Sequence, residues 1–315
     1  MIGLYIAIGI FLVLSLFFLL FSYFAYKKTF FADRTKKKDP YQGIDKRAYK
    51  PYEAKIRAYI DSILSLPCEK VEITSRDGLK LSARYYHVRD GAPLEIHCHG
   101  YRSTPLRDFA ISGEECFKRR YNLLLIDQRS HGDSEGKTIT FGIKERFDVI
   151  DWINYAIERF GSDVRILLYG ISMGGATVLM AAGEELPDNV RGIIADCPFS
   201  SPIGIIAKVA GESGVPSFLA KLFAISGARI FGGFSILETS PKEAVKNAKA
   251  PILLFHGEAD TFVPDYMSDE IYEANPSIIL KKIPEAGHAV CYLCDAEGYR
   301  SVFNGFRDEV LKENN

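Results

Sequence analysis

The sequence predicts an α/β fold in which a mostly parallel, eight-stranded sheet carries helices on both faces, preceded by one N-terminal transmembrane helix. Beyond Pro67, short and almost unbroken apolar runs alternate with helical stretches, a pattern typical of parallel strands buried on both faces. The Asp77-Gly78 dipeptide connects the first two β-rich runs and predicts a tight antiparallel hairpin at one edge of the sheet. Ahead of the sheet, residues 2–26 contain no charged side chain.

Residues 2–26 have the length and composition of a transmembrane helix. At about 1.5 Å per residue they reach roughly 37 Å, enough to cross a hydrocarbon core of about 30 Å with some tilt. A cleaved signal peptide is the alternative, but it requires a basic N-terminal region, a shorter apolar core and a small-residue cleavage site. The segment has none of these features, so we expect a retained, single-pass anchor.

Basic residues follow the apolar segment directly, and none precedes it. They are Lys27, Lys28, Arg34, Lys36, Lys37 and Lys38. Because basic flanks favour the cytoplasmic side, we expect a cell-membrane protein whose larger part lies in the cytoplasm. The six cysteines fit a reducing compartment, since their spacing suggests no compact disulfide framework.

Residues 27–66 predict a juxtamembrane linker followed by an amphipathic helix. The linker is charged and contains Pro40 and Gly43, both typical of irregular backbone. In the helix, apolar side chains recur at spacings of three and four: Tyr49, Tyr52, Ile56, Tyr59, Ile60, Ile63 and Leu64. This stripe either packs on the domain that follows or lies on the bilayer surface, and packing is the more favoured interpretation.

Residues 67–315 predict one α/β domain. Its expected strands are 71–75, 79–88, 94–98, 123–126, 166–169, 192–195, 252–255 and 278–283. Its clearest helical patterns are 141–160, 175–185 and 295–312. Together these runs supply the eight strands of the predicted sheet.

One connection in this domain, residues 198–250, is long enough to be a helical lid. Helical patterns at 203–210 and 216–230 lie inside it. Its apolar side chains either line an acyl-binding pocket or form a small core of the insertion itself: Phe218, Leu219, Leu222, Phe223, Ile225 and Phe231. For any one of these residues, a place in the small core of the insertion is slightly favoured over a place in the pocket.

The charge balance argues against nucleic acid as a partner. The formal net charge is −1 and the pI is near 6.6, whereas binding to a phosphate backbone requires a strongly basic surface.

The strongest local motif is Gly-Ile-Ser-Met-Gly at residues 170–174. It follows a predicted strand and precedes a predicted helix rich in small residues, the setting of a sharp turn that exposes a nucleophilic serine. The start of that helix also favours developing negative charge. We therefore predict Ser172 as a nucleophile.

A serine hydroxyl needs a base, and the base needs an orienting carboxylate. His288 follows the last predicted strand, in a loop from which its imidazole could reach the strand ends. Asp260 lies just past the strand 252–255, and Asp196, at the end of the preceding strand, is its rival. The sequence favours Ser172, His288 and Asp260 as a catalytic triad.

Acyl transfer also needs donors for the tetrahedral oxyanion. The backbone N–H of Met173, directly after the predicted nucleophile, is one candidate. The N–H of Tyr101, beside Gly100 in the loop after the third strand, is the other.

These motifs together resemble the α/β-hydrolase superfamily. The segments that carry the resemblance are His99-Gly100, 127–134, 170–174, 256–264 and Gly287-His288. More narrowly, the chain is similar to bacterial membrane-anchored serine hydrolases of the serine-aminopeptidase-like and lysophospholipase-like group. The match covers about residues 70–312 and leaves out the membrane segment. The segment 127–134 resembles a loop that has a structural role in that family. This resemblance argues against His131 as the base.

The resemblance implies hydrolysis through an acyl-enzyme, without a metal or an organic cofactor. A carboxylic ester with an acyl or lipid-like group is the leading substrate class, because the predicted anchor and the apolar insertion both suit it. A peptidase or amidase is an alternative, with Glu212 as a candidate to hold a substrate ammonium group. A catalytically inactive, membrane-anchored binding protein is a third possibility. The oligomeric state is left open.

Overall fold

The computed structural model describes residues 1–33, 39–45 and 49–312. Of the predicted basic flank, Arg34 and Lys36–Lys38 lie outside these residues, as does part of the predicted linker. The strands are β1 (Glu69–Thr74), β2 (Lys80–Tyr86), β3 (Leu94–Cys98), β4 (Asn122–Asp127), β5 (Ile166–Ile171), β6 (Val190–Asp196), β7 (Ile252–Gly257) and β8 (Ile279–Ile283).

Eleven α-helices surround these strands in the part of the chain that the structure describes. They are α1 (Ile2–Thr29), α2 (Glu53–Leu64), α3 (Pro105–Lys118), α4 (Glu145–Phe160), α5 (Met173–Ala181), α6 (Pro202–Glu212), α7 (Ser217–Ile230), α8 (Pro241–Ala244), α9 (Tyr266–Ala274), α10 (Cys291–Cys294) and α11 (Ala296–Val310). Helices α6, α7 and α8 lie within the predicted insertion 198–250.

The eight strands form one sheet in the order β1-β2-β4-β3-β5-β6-β7-β8. Strand β2 runs antiparallel to both β1 and β4, and all other pairs are parallel. The predicted mostly parallel sheet with a hairpin at its edge is therefore confirmed. Its central strands are buried along their whole length, as expected for a sheet covered on both faces.

The start of α4 differs from the sequence-based prediction by four residues. The pattern predicted a helix from Phe141, but Phe141 and Gly142 have positive φ values of 55° and 92°, which a right-handed helix does not accept. The carboxylate of Glu145 instead accepts the N–H groups of Thr140, at 2.7 Å, and Gly142, at 2.9 Å. The chain enters α4 through this turn.

Helix α2 packs on the α/β domain. Its residues Ile56, Ile60 and Ile63 are buried in the same apolar cluster as Phe109 of α3. Burial of such a face is worth about 1.5–3 kcal/mol for each large aliphatic side chain. The apolar stripe of the amphipathic helix is thus occupied by protein contacts.

A buried charge cluster connects the last helix to the middle of the sheet. Arg307 of α11 pairs with both carboxylate oxygens of Glu95 on β3, at 2.8 Å each. His97 contacts the same carboxylate at 3.0 Å. All three side chains are fully buried, so each charge depends on its partner for compensation.

Helix α1 is long and apolar enough to cross a membrane. Its C-terminal part packs along α7: the ring of Phe223 lies 6.0 Å from that of Phe18 and 5.3 Å from that of Phe21. After the helix, Phe31 forms an antiparallel bridge with Thr138. Helix α1 therefore contacts the insertion first, and the chain after it contacts the loop before α4.

Candidate active site

Ser172 sits at a strained turn between β5 and α5. Its backbone has φ 56° and ψ −117°, a conformation that a residue with a side chain rarely adopts and that tends to mark functional sites. The turn is tight because Gly174 lies against the neighbouring strand: a Cβ there would come 1.7 Å from the carbonyl oxygen of Cys98. Only glycine fits, which explains the spacing of the motif.

His288 and Asp260 complete a hydrogen-bonded chain with Ser172. The Ser172 Oγ lies 3.0 Å from His288 Nε2, and His288 Nδ1 lies 2.6 Å from Asp260 Oδ2. With a proton assigned to Nδ1, the imidazole donates to the carboxylate and accepts from the serine hydroxyl. The structure thus brings together the three residues that the sequence singles out.

The second oxygen of Asp260 is held by the backbone. It accepts the N–H groups of Phe262 and Val263, at 2.9 Å each. Burial by itself raises the pKa of this carboxyl, but the neighbouring His288 and His256 outweigh burial and hold its pKa below the usual range. Asp260 is therefore a fixed negative charge at neutral pH, suited to orienting an imidazole.

The rival carboxylate, Asp196, has a different partner. Its Oδ2 accepts the hydroxyl of Tyr299 at 3.0 Å, and its main-chain carbonyl accepts the N–H of Ser172 at 2.8 Å. Burial raises the pKa of Asp196. Its contacts support the turn that carries Ser172, while the hydrogen bond to His288 comes from Asp260.

His131 also has a structural environment. Its Nδ1 donates to the carbonyl of Arg129 at 3.0 Å, and its Nε2 accepts the N–H of Arg102 at 3.0 Å. Burial, together with neighbouring His99, lowers the pKa of His131 to about 3. The His131 imidazole is therefore neutral, and both of its nitrogens are hydrogen-bonded. It holds the loop 127–134 against the loop after β3.

The backbone amides of Met173 and Tyr101, which the sequence predicts as oxyanion donors, belong to the two segments that meet at Ser172. Met173 opens α5, so its N–H belongs to the first helical turn, which has no intrahelical partner. Tyr101 lies between two anchored amides, since the N–H of Gly100 donates to Asp108 at 2.8 Å and that of Arg102 to His131. A Cβ built on Gly100 would lie 3.4 Å from the Ser172 Cβ, which shows how closely this loop approaches the serine.

An apolar cavity of about 440 Å³ opens above Ser172, within the size range of small-molecule sites. Its floor is Ser172, Met173 and Tyr101. Its lid side includes Ile205, Ile206, Val209, Leu219, Ala220 and Phe223 from α6 and α7. Another wall comes from α1, through Phe21, Phe24, Ala25, Lys28 and Thr29, and Phe141, Phe199, Phe262 and Val263 also line the cavity.

Of the six apolar insertion residues singled out above, the pocket uses Leu219 and Phe223. Phe218 and Leu222 are exposed instead, at 70% and 45%, and Phe231 packs on Tyr23 of α1. The sequence analysis did not identify the α1 residues that line the pocket. An apolar segment has the same composition whether its side chains face lipid or a pocket. The small residues Ser22 and Ala25 are the available signal of close packing on that face.

Comparison with known proteins agrees with this geometry. The family described as alpha/beta hydrolase fold matches residues 98–210. YqkD of Bacillus subtilis is 28% identical over 229 residues, which cover 71% of this chain and 75% of YqkD. The membrane protein YNL320W of Saccharomyces cerevisiae is 24% identical over 76% of this chain and 80% of its own length.

Among solved structures, the Pyrococcus furiosus esterase Pf2001 superposes with a TM-score of 0.65 at 26% identity, covering 80% of this chain and 94% of the esterase. The superposition, the serine turn and these relatives agree on the fold. The chain has the α/β-hydrolase fold, and its residues 98–210 match the family of that description.

Proposed function

We propose that this protein is a membrane-anchored serine hydrolase that cleaves a carboxylic ester with an apolar acyl group. The observation that carries the proposal is the hydrogen-bonded chain Ser172–His288–Asp260 at the floor of an apolar pocket. The acyl group occupies the pocket, and the ester carbonyl lies at the serine.

In the first half-reaction, the Ser172 Oγ attacks the carbonyl carbon while its proton passes to His288 Nε2. The oxyanion that forms accepts hydrogen bonds from the N–H groups of Met173 and Tyr101, each worth about 3–4 kcal/mol of barrier. The carbonyl–oxygen bond to the leaving group then breaks, and the leaving alkoxide takes the proton from His288. The product alcohol departs and the acyl group stays on Ser172.

In the second half-reaction, water replaces the alcohol. His288 Nε2 takes a proton from the water as its oxygen attacks the acyl carbon, and the same two amides hold the oxyanion. The bond to Ser172 breaks, the serine oxygen regains the proton from His288, and a carboxylic acid leaves. Asp260 keeps its charge throughout and stabilises the imidazolium.

The pocket favours an acyl ester over a peptide with a free N-terminus. A peptidase of that specificity needs an acidic side chain facing the substrate ammonium group. The candidate Glu212 instead pairs with Lys208 at 2.5 Å, its side chain 53% exposed. The described walls near Ser172 are apolar apart from Lys28, Thr29 and Ser213, and Lys28 would repel an ammonium group.

The test uses the full-length protein in detergent with a fluorophosphonate probe and p-nitrophenyl esters from acetate to palmitate. We expect labelling and ester hydrolysis in the wild type and neither in Ser172→Ala. Ser65→Ala, which alters an exposed serine at the end of α2, is the matched control and should match the wild type. Undiminished hydrolysis by Ser172→Ala would overturn the mechanism.

We further propose that the α/β domain faces the cytoplasm, on the strength of Lys27 and Lys28 at the end of α1. Two native thiols, Cys68 and Cys294, are exposed on the domain. A membrane-impermeant maleimide should label them only after cells are permeabilised. A Gly3→Cys variant lacking both thiols should be labelled in intact cells, and the reverse pattern would place the domain outside.

A further inference from the structure

We infer that helix α1 is part of the substrate site: it forms one wall of the acyl pocket, and the acyl chain of a membrane lipid ester enters from the bilayer between α1 and α7. This inference rests on the proposed esterase function and adds the source of the substrate and its route.

The end of α1 is fixed to the loop that carries the proposed oxyanion donor. The hydroxyl of Tyr101 donates to the carbonyl of Thr29 at 2.7 Å, and Arg102 donates to the carbonyls of Lys28 and Phe31 at 3.0 Å each. These bonds satisfy carbonyl groups that a helix end leaves without intrahelical partners. The anchor is thereby held in one position relative to Ser172.

Helices α1 and α7 pack side by side and run in the same direction. Phe223 contacts Phe18 and Phe21, and four residues further along α7 a Cβ on Gly227 would lie 2.6 Å from the carbonyl oxygen of Ser22. The missing side chain at Gly227 lets the two backbones approach closely, as small residues do between membrane helices. The lid helix is therefore aligned with the anchor over its last two to three turns.

The pocket follows α1 lengthwise from the serine towards the membrane-spanning part. Its α1 lining runs from Thr29 back to Phe21, a rise of about 12 Å at 1.5 Å per residue. Phe21 and Phe24 lie inside the uncharged segment 2–26. The outer end of the pocket is therefore at the depth where α1 meets lipid, and the reactive end is outside the hydrocarbon core.

The surface around this outer end is apolar and continuous with the anchor. Val215, Phe218 and Leu222, at the start of α7, are 40%, 70% and 45% exposed. They precede Phe223, the α7 residue that packs on Phe18, and the large side chains of α1 before Phe18 are exposed. Exposed apolar side chains of this kind suit contact with a bilayer, so lipid covers this tip.

The proposal is tested with a substitution on α1 that places a larger side chain in the pocket. Full-length Ala25→Trp and its matched control Ala7→Trp, an exposed alanine of the same helix, are reconstituted in phosphatidylcholine vesicles. Hydrolysis of 4-methylumbelliferyl palmitate and acetate is measured in each. We expect Ala25→Trp to lower the palmitate-to-acetate ratio of kcat/KM at least tenfold, and Ala7→Trp to leave both values within twofold of wild type.

A second pair keeps the test decisive if Ala25→Trp fails to fold. Leu219→Trp fills the pocket from α7, whereas Ile230→Trp enlarges an exposed side chain at the other end of the same helix. The palmitate-to-acetate ratio should fall only in Leu219→Trp. An unchanged ratio in both pocket variants, with normal fluorophosphonate labelling, overturns the role of α1. Absence of labelling in the wild type overturns the esterase proposal itself.

Discussion

The hydroxyl of Tyr101 lies 2.7 Å from the main-chain carbonyl oxygen of Thr29 and donates a hydrogen bond to it. Tyr101 thus connects the end of α1 to the loop beside Ser172. Its ring packs 5.0 Å from that of Phe141, so the contact is part of an aromatic cluster. Movement of α1 relative to the domain therefore breaks this contact.

Removal of the Tyr101 hydroxyl should weaken the attachment of α1 to the α/β domain. A net hydrogen bond is worth about 0.5–1.5 kcal/mol, which corresponds to a decrease in Tm of roughly 2–4 °C per kcal/mol for a domain of this size. We expect Tyr101→Phe to lower the Tm of the full-length protein in detergent by a few degrees. Tyr5→Phe, at an exposed position of α1, is the control and should leave the Tm unchanged. An equal Tm in Tyr101→Phe would show that the bond does not contribute.

Neutralising Asp260 should disable the imidazole without unfolding the protein. Because Asp260 fixes the His288 tautomer and stabilises its charged form, Asp260→Asn should lower kcat for an acetyl ester by about 10⁴-fold. Glu258→Gln, two residues away at an exposed position, should stay within twofold. If Asp260→Asn kept a tenth of the wild-type kcat, another carboxylate would have to orient His288.

A methyl group added at Gly174 should lower the stability of the protein far more than one added at Gly211. The first would meet the Cys98 carbonyl oxygen at 1.7 Å, whereas the second has nothing within 4 Å. We expect Gly174→Ala to lower the free energy of unfolding by about 1–3 kcal/mol or more and to slow fluorophosphonate labelling. Gly211→Ala, on α6, should be neutral or stabilising by about 0.5 kcal/mol. Equal thermal denaturation of both variants would contradict the close contact.

Buried histidines should make the domain sensitive to acid. His131 has a pKa of about 3 when folded, against 6.5 for an ordinary histidine, so below pH 6.5 the unfolded chain binds a proton that the native protein does not. Stability from this residue therefore falls as pH drops from 6.5 towards 3, by up to about 1.4 kcal/mol per pH unit.

Urea unfolding between pH 4.5 and 7.5 measures this effect. His131→Gln should be less stable than the wild type at pH 7.5, because it disturbs two buried hydrogen bonds, yet show a shallower decline towards acid. Parallel declines for the two proteins would exclude His131 as a source of the acid sensitivity.

Much of the fold could be predicted because its signals are local. The strands β4 and β5 contain continuous apolar runs, and the glycine spacing around Ser172 follows from steric contacts at both Gly170 and Gly174. The edge strand β1 begins two residues before the predicted start, since Glu69 and Lys70 are exposed there and break the apolar pattern. The wall that α1 contributes depends on contacts between residues about 200 positions apart, which no local pattern encodes.

The pairing of Glu95 with Arg307 joins residues that are 212 positions apart. During synthesis, β3 emerges long before α11, so the carboxylate in the central strand has no guanidinium partner until the last helix has left the ribosome. An uncompensated buried charge costs several kcal/mol, and the sheet cannot close around Glu95 before then. By that stage α1 has long left the ribosome, which means that this domain completes its folding after the N-terminal apolar helix is already available for contacts.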